Sequence, residues 1–315
     1  MMEVISAGVQ ASLQGAPHRG SRHLGIPDAG PADPVSMALA NRLVGNDLLA
    51  TCVEISFGGF KARIEAPSTV AVTGASGDIH VSGVAVPLHR SLQLTVGDML
   101  SVDVPRFGAR SYLAIASGFA ADMAFGSTST YLPAGFGGHQ GRALRAGDTL
   151  VAQGLAKLDG VLETPEAFRP VFTHSYTLRA CASGETSVLD AISRKALFSE
   201  RFIAGRQATR MGLALTGPTM KLDSDGMMES APVFPGTVQC PASGTPIVLL
   251  CDAQTTGGYP RIAQIARCDR HLLGQVRPGE AIRLLERTQE HAADALSKKR
   301  AFLADWLGDA TGELF

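Results

Sequence analysis

The stretch SLQLTVGDMLSV, residues 91–102, decides the fold class. Apolar and polar residues alternate on both sides of the Gly97-Asp98 pair, the period of two that a half-buried strand shows, broken where glycine permits a turn. The same reading extends outward to TVAVTG (69–74), IHVSGVAV (79–86) and SYLAIAS (111–117). Runs of this kind, spaced at about ten residues, predict a β-sandwich or barrel rather than repeated βαβ units. The form of VGDML (96–100) returns in AGDTL (146–150) and PGEAI (278–282): a glycine, an acid, then a strand. Its presence in both halves points to two related β domains.

Helical pattern is sparse. DPVSMALANRLVGN (33–46) predicts one helix, with Asp33 as N-cap, Pro34 at the first helical position and Gly45 past the end. TQEHAADALSKKRAFLADWL (288–307) predicts a C-terminal helix whose Lys298, Lys299 and Arg300 lie on a solvated face. LDGVLETPEAFRPV (158–171) is polar, holds two prolines and has no strand pattern, so it reads as a linker. The expected division is a first β domain over 1–157, the linker over 158–171, a second β domain over 172–287, and a helix and tail over 288–315.

Composition narrows the function. Charged residues make up 18% of the 315, below the roughly 25% of soluble domains, and the formal net charge is −1. Such a chain carries no electrostatic footprint for nucleic acid or an anionic membrane. No apolar run reaches the roughly 18–20 residues that span a bilayer, and the N-terminus lacks the pattern of a secretory signal. The five cysteines (Cys52, Cys181, Cys240, Cys251, Cys268) are scattered, with no C-x-x-C pair, which fits reduced thiols in a cytoplasmic protein and no metal site. There is no P-loop and no G-x-G-x-x-G opening a helix.

Four glycine-punctuated stretches combine close backbone approach with polar side chains: HLGIPDAGPADPVSMALANRLVGN (23–46), GSTSTYLPAGFGGHQGRALRAGD (126–148), RQATRMGLALTG (206–217) and VFPGTVQCPASGTPIVLLCDAQTTGGYP (233–260). In this order they resemble the allophanate hydrolase subunit 2 family, also described as the 5-oxoprolinase C subunit and as biotin-dependent carboxyltransferase-like proteins. A Kip-type antagonist belongs to it, and its domain recurs within urea carboxylase. The resemblance runs from about residue 3 to about residue 286. It implies two cyclophilin-like β-barrel domains with a few helices and a C-terminal helix. It also implies half of an enzyme, working with a partner of the allophanate hydrolase subunit 1 or Kip-inhibitor type and, in 5-oxoproline cleavage, with a third, ring-opening subunit. ATP would be bound with the partner. Biotin would have to arrive on another chain, since no Met-Lys-Met biotinyl site is present. The competing reading from a different class is a regulatory protein that binds a Kip-inhibitor-like subunit without catalysis. A cyclophilin-type isomerase is a third, resting on fold alone.

On this resemblance the candidate catalytic residues are Asp252, His139 and Arg210. Those expected to bind a small amide or carboxylate are Gln254, Thr255, Gly257, Gly258, Tyr259, Ser127, Thr128, Arg142 and Gln239. Each has a second reading. Asp252 serves either as a base or orienting acceptor, or as the staple of a glycine turn. Arg142 suits an anionic group beside His139, Arg210 suits either an anion or a core acid, and the hydroxyls of 127–130 suit either a ligand or their own backbone. Glu54 reads as a structural acceptor. The family usually shows Gln-Asp and Gly-Arg where this chain has Gln14-Gly15 and Pro17-His18, and Ser-Asp-Arg-Met-Gly with a second arginine where it has Ala208-Thr209-Arg210-Met211-Gly212 and Ala214. An altered ligand is the expectation those changes raise.

Overall fold

The computed structural model describes residues 1–154, 160–223 and 225–315, and it divides into two compact units. The first comprises 1–18, 29–172 and 303–314; the second comprises 19–28, 173–302 and Phe315. Residues 157–159, which span the expected boundary between the first domain and the linker, lie outside the described residues. From 160 on, the expected linker belongs to the first unit: Ser91 N–H donates to Leu162 O at 2.8 Å, Leu162 N–H to Ser91 Oγ at 2.8 Å, and Thr164 N–H to His89 O at 2.9 Å.

The first unit is built on two sheets. One runs, in spatial order, Thr149–Leu150, Met2–Ala7, Phe60–Ile64, Met99–Val102, Ile79–Val81, Val84–Val86; the other Gln10–Gln14, Cys52–Ser56, Phe107–Ile115, Ser68–Ser76, Ser91–Leu94. Alternation explains their packing. Phe60, Ala62 and Ile64 point inward while Lys61 and Arg63 face water, and the inward set joins Leu13, Val53, Val70 and Leu113 of the other sheet in one core. The stretch 91–102 therefore does more than turn back on itself. Ser91–Leu94 belongs to one sheet and Met99–Val102 to the other, so the turn between them carries the chain across the core.

That turn is one of three alike. Asp98 N–H donates to Thr95 O at 3.1 Å, Asp148 N–H to Arg145 O at 3.2 Å, and Glu280 N–H to Arg277 O at 3.1 Å. In each, the acid's side chain accepts the N–H of the residue three before it, at 2.7, 2.7 and 2.8 Å. The glycines take φ of +91°, +90° and +89°, a region a Cβ disfavours, so the glycine–acid pair in the sequence fixes the turn.

Helix α1 (Pro34–Leu43) begins as expected, with Asp33 Oδ1 accepting from Val35 N–H at 3.1 Å and Ser36 N–H at 3.0 Å. Its Met37, Ala40 and Leu43 pack on Ala71, Tyr112 and Ala114, the outward face of the second sheet. The second unit is a closed barrel of seven strands: Ser175–Ala182, Arg261–Ile265, Thr237–Gln239, Ile247–Leu249, Gly212–Thr216, Arg201–Ala204 and Ala281–Glu286, the last returning parallel to the first. Leu178, Phe202, Leu213, Val238, Val248 and Ile282 fill it. Helix α2 (Ala191–Ser199), absent from the sequence reading, is capped by Asp190, which accepts from Ser193 N–H at 2.7 Å. Helix α3 (Gln289–Leu307) falls where the C-terminal helix was expected. Its Lys298 is exposed as expected, whereas Lys299 turns back to the chain, Nζ donating to Cys268 O at 3.0 Å. The mainly β fold with few helices stands, closed into a barrel in the second unit and kept as two sheets in the first.

All five cysteines are free thiols. No helix among the described residues is long and apolar enough to cross a membrane.

Candidate functional site

In the second unit the opening strand Ile247–Leu249 pairs antiparallel with Gly212–Thr216, Gly212 opposite Leu249. The pairing continues past the strand ends, with Asp252 N–H donating to Arg210 O at 2.9 Å and Leu250 N–H to Met211 O at 3.0 Å. This register places the two side chains together. Arg210 donates from Nε to Asp252 Oδ2 at 2.8 Å and from Nη2 to Oδ1 at 2.9 Å, with side chains 5% and 2% exposed. A bidentate fork suits planar guanidinium and carboxylate, and it removes the cost of burying either charge alone. Each carboxylate oxygen accepts one bond from Arg210, so Asp252 ties the start of its loop to the neighbouring strand's end.

After the fork the chain forms a short ribbon. Thr256 and Gly257 pair with Pro232 and Ala231, Val233 N–H donates to Thr255 O at 3.0 Å, and Met228 N–H donates to Gly258 O at 2.9 Å. Beneath it lies Gln239, 2% exposed, whose Nε2 donates to Tyr259 O at 3.1 Å. A Cβ at Gly257 would stand 2.7 Å from that amide, so glycine is what lets the ribbon lie on Gln239. Gln254 and Thr256 are exposed, Thr255 partly so, and Tyr259 joins Met211, Met227 and Phe234 as exposed apolar side chains of this unit. The ribbon is thus supported by Gln239 and leaves amide, hydroxyl and ring groups exposed along its length.

Directly after the ribbon, Arg261 forks Glu185 (Nε to Oε2 2.9 Å, Nη2 to Oε1 2.5 Å) and donates from Nη1 to Pro232 O at 3.0 Å. The hydrogen bonds from Arg261 hold the Glu185 carboxyl below its usual range. The pair lines a cleft of about 210 Å³ with Ser183, Phe234, Thr237 and Gln264. Sequence reasoning missed both residues. Arg261 follows the Tyr-Pro pair immediately, a signal that extending the motif by one residue would have caught; Glu185, 76 positions away, carried none.

The candidates of the first unit form two clusters. Arg142 donates from Nη1 to Asp148 Oδ2 at 2.8 Å and from Nη2 to Oδ1 at 2.7 Å, and His139 Nε2 lies 3.4 Å from Oδ1. The Arg142 guanidinium holds the Asp148 carboxyl well below the usual carboxylate range. The anion that Arg142 meets here is the acid of the AGD turn. The hydroxyls of 127–130 face strand Gln10–Gln14 and the residues after it: Ser127 Oγ donates to Ala16 O, Ser129 Oγ to Gly15 O at 3.0 Å and Thr130 Oγ1 to Leu13 O at 2.8 Å, while Thr128 Oγ1 meets Thr51 Oγ1 at 2.7 Å. Ser127, Ser129 and Thr130 bond chain carbonyls, in line with the second of their two readings, and Thr128 bonds a side-chain hydroxyl. Gly138 packs under them, where a Cβ would overlap Thr130 Oγ1.

The altered positions also turn inward. Gln14 Nε2 donates to Ser12 Oγ at 2.9 Å and Thr130 O at 3.2 Å, and His18, fully buried, meets the Phe136 ring edge-on at 5.4 Å. Ala208 packs against the barrel core. Glu54 accepts from Tyr112 Oη at 2.8 Å and Ala32 N–H at 2.9 Å, with Arg110 Nε at 3.3 Å, which ties the loop before α1 to the second sheet. Burial first, then the Glu54 and Asp33 charges, push the Tyr112 hydroxyl's pKa well above its usual value, so it stays a donor. Among the described residues no group of three His, Cys, Asp or Glu side chains could hold a metal ion.

Known proteins share this arrangement of elements. The chain is 35% identical over 302 residues to the 5-oxoprolinase C subunit of Escherichia coli K12, covering 96% of both chains, and 30% identical to that of Haemophilus influenzae, again over 96% of each. It superposes on the crystal structure of the K. lactis urea amidolyase with a TM-score of 0.90 over 97% of its length, at 23% identity, and spans 20% of that longer chain. The family model for the carboxyltransferase domain, subdomain A and B, matches residues 24–286. That match takes in α1, nearly all of the second sheet's strands and the whole barrel, and by it the chain belongs to the carboxyltransferase domain family.

Proposed function

We propose that this chain is the C-type member of a heteromeric complex that opens 5-oxoproline with ATP, and that the ribbon 254–259 forms one wall of its amide site. The observation that carries this is the two-way coverage: relatives named as the C subunit of 5-oxoprolinase match over 96% of their length and of this chain, at 35% and 30% identity. The urea amidolyase of Saccharomyces cerevisiae matches at 27%, over 17% of its length. The chemistry agrees with an amide ligand: Gln254, Thr255 and Tyr259 offer exposed or partly exposed donors and acceptors along the ribbon, while the Arg210–Asp252 fork and Gln239 hold its backbone in place. Arg210 and Asp252 are on this reading positioning residues. His139 and Arg142 hold the first unit's 139–148 loop.

Nucleotide binding is assigned to the partner subunit. In the glycine-rich loop 135–141 the amides of Gly135, Gly138, Gln140 and Gly141 already donate to Tyr131 O, Asp122 O, Asp122 Oδ2 and Gly137 O, which supports that assignment. Biotin is not part of this reading. A second reading, a non-catalytic protein that binds a Kip-inhibitor-like partner, is favoured by one fact: the candidate acid Asp252 is taken up by an arginine fork.

The test is turnover of the reconstituted complex. The purified chain, mixed with its allophanate hydrolase subunit 1-type partner and the ring-opening subunit, is expected to hydrolyse ATP faster with 5-oxoproline than with urea. Stimulation by urea alone would move the chain to the urea carboxylase activity. No stimulation by either, with the partner still bound by Asp252→Ala protein, would establish the regulatory reading instead.

A further inference from the structure

A second cleft of this unit, about 510 Å³, lies between the ends of strands Ser175–Ala182 and Arg261–Ile265 and the first turns of α3. One wall is set by a one-turn repeat. Residues 267–275 form a 3-10 helix, with three residues per turn, so Arg267 and Arg270 lie on the same face, and both line the cleft. The acid between them does not offset their charge. Asp269 is forked by Arg179, Nε to Oδ2 at 2.9 Å and Nη2 to Oδ1 at 2.8 Å. Among the described residues neither Arg267 nor Arg270 forms an ion pair. Arg270 donates only a long bond, 3.5 Å, from Nε to Ile265 O.

The surrounding charges deepen the excess. Burial, then the like charges of Arg300 and Arg19, lower the Arg267 pKa. Burial, then Arg267, brings Arg270 down to about 10, offset in part by Asp28, an acid shared with Arg22 at 3.5 Å. Guanidiniums held at this cost with only the shared Asp28 carboxylate in reach of one of them favour an anion, and two on one face suit the two oxygens of a carboxylate. From α3 the lining is Ala292, Ala293 and Leu296, with the amide side chain of Gln289 at the helix start.

We propose that this cleft binds a small organic carboxylate, its charge on Arg267 and Arg270 and its short carbon body against Ala292, Ala293 and Leu296 of α3. The proposal concerns binding by this chain and does not depend on the complex or the turnover proposed above. Its test is direct titration of the purified full chain, by calorimetry or chemical-shift perturbation, with three probes: 5-oxoproline, the neutral ring 2-pyrrolidinone, and inorganic phosphate. The carboxylate is expected to bind at least about tenfold tighter than the neutral ring, since each charge-assisted contact contributes about 1.5–3 kcal/mol. It is also expected to bind more tightly than phosphate, which gains nothing from the apolar side chains of α3. Arg267→Gln and Arg270→Gln should each weaken the carboxylate several-fold with the unfolding midpoint followed as a control. Ala293 is exposed, so Ala293→Asp and Ala293→Lys keep the test alive if an arginine variant fails to fold: the first should weaken binding and the second strengthen it. Equal binding of 2-pyrrolidinone, no preference over phosphate, no binding of the carboxylate at all, or the same response to both Ala293 variants would overturn the proposal.

Discussion

An arginine forks an aspartate in each unit at nearly the same distances, side-on through Nε and Nη2 at Arg210 and end-on through Nη1 and Nη2 at Arg142, and the two forks sit in different surroundings. In the barrel, the Arg210 and Asp252 side chains are 5% and 2% exposed; in the two-sheeted unit, those of Arg142 and Asp148 are 26% and 11% exposed. Water can replace the partner of an exposed charge but not of a buried one, so two forks of two bonds each carry different consequences. The buried fork ties two barrel strands beyond their last ladder bond and sets where the ribbon 254–259 begins. The other braces a turn that its glycine and its Arg145 N–H bond already hold.

Breaking the buried fork gives the largest expected effect. Arg210→Ala or Asp252→Ala leaves an uncompensated buried charge and should lower unfolding free energy by about 3–5 kcal/mol in denaturant titration. The pair Arg210→Met with Asp252→Leu should recover most of that loss, because no charge remains to be solvated. If the double variant is as unstable as either single one, the fork's weight lies in the strand register and not in charge pairing.

Acid sharpens the comparison next. A carboxylate fork whose folded pKa is depressed contributes fully above the unfolded value of about 3.9 and fades only below it. In the first unit another group fails earlier. His89 is 6% exposed, and burial, then the Arg169 charge, brings it down to about 4. Its unfolded form takes a proton near 6.5, so protons favour unfolding between about 6.5 and 4, and stability should fall in that window by up to about 3 kcal/mol. His89→Asn, which suits the positive φ of 61° at this position, should flatten that slope in pH-dependent thermal unfolding. His271, buried in the barrel unit and lowered well below its usual value by burial first, adds a slope of its own from about 6.5 downward, so the His89 variant should reduce the slope within the window and leave that of His271, which continues to lower pH. An unchanged slope in the His89 variant would place the acid sensitivity elsewhere.

The smallest effect belongs to the exposed fork. Arg142→Ala should cost at most about 1 kcal/mol and matter less as salt is raised. A loss comparable with that of Arg210→Ala would mean that the loop 135–142 depends on this fork and not on its own packing.

What could be read in the sequence was local. The glycine–acid turns, the Asp33-capped helix α1 and the C-terminal helix α3 each announce themselves over a few residues, because a positive φ, an N-cap or an apolar stripe is a property of neighbours in the chain. Helix α2 was missed for the converse reason: among its nine residues only Ser193 and Leu197 are buried, too few to draw a stripe. The ordered glycine motifs were enough to mark the family. Within them the hydroxyls of 127–130 bond to other groups of the chain, and Arg142 meets the acid at 148, contacts the motifs alone do not specify.

By itself, then, the sequence determined the turns, the strand alternation and two of the helices, since these follow from backbone sterics and from which side chains avoid water. Tertiary structure decided that 91–102 crosses from one sheet to the other. It closed one unit into a barrel by pairing Ser175–Ala182 with Ala281–Glu286, and it gave Asp252 to Arg210 and Asp148 to Arg142. A carboxylate's partner depends on strand register and burial over tens of residues, and a charge taken out of water accepts whichever guanidinium that register delivers.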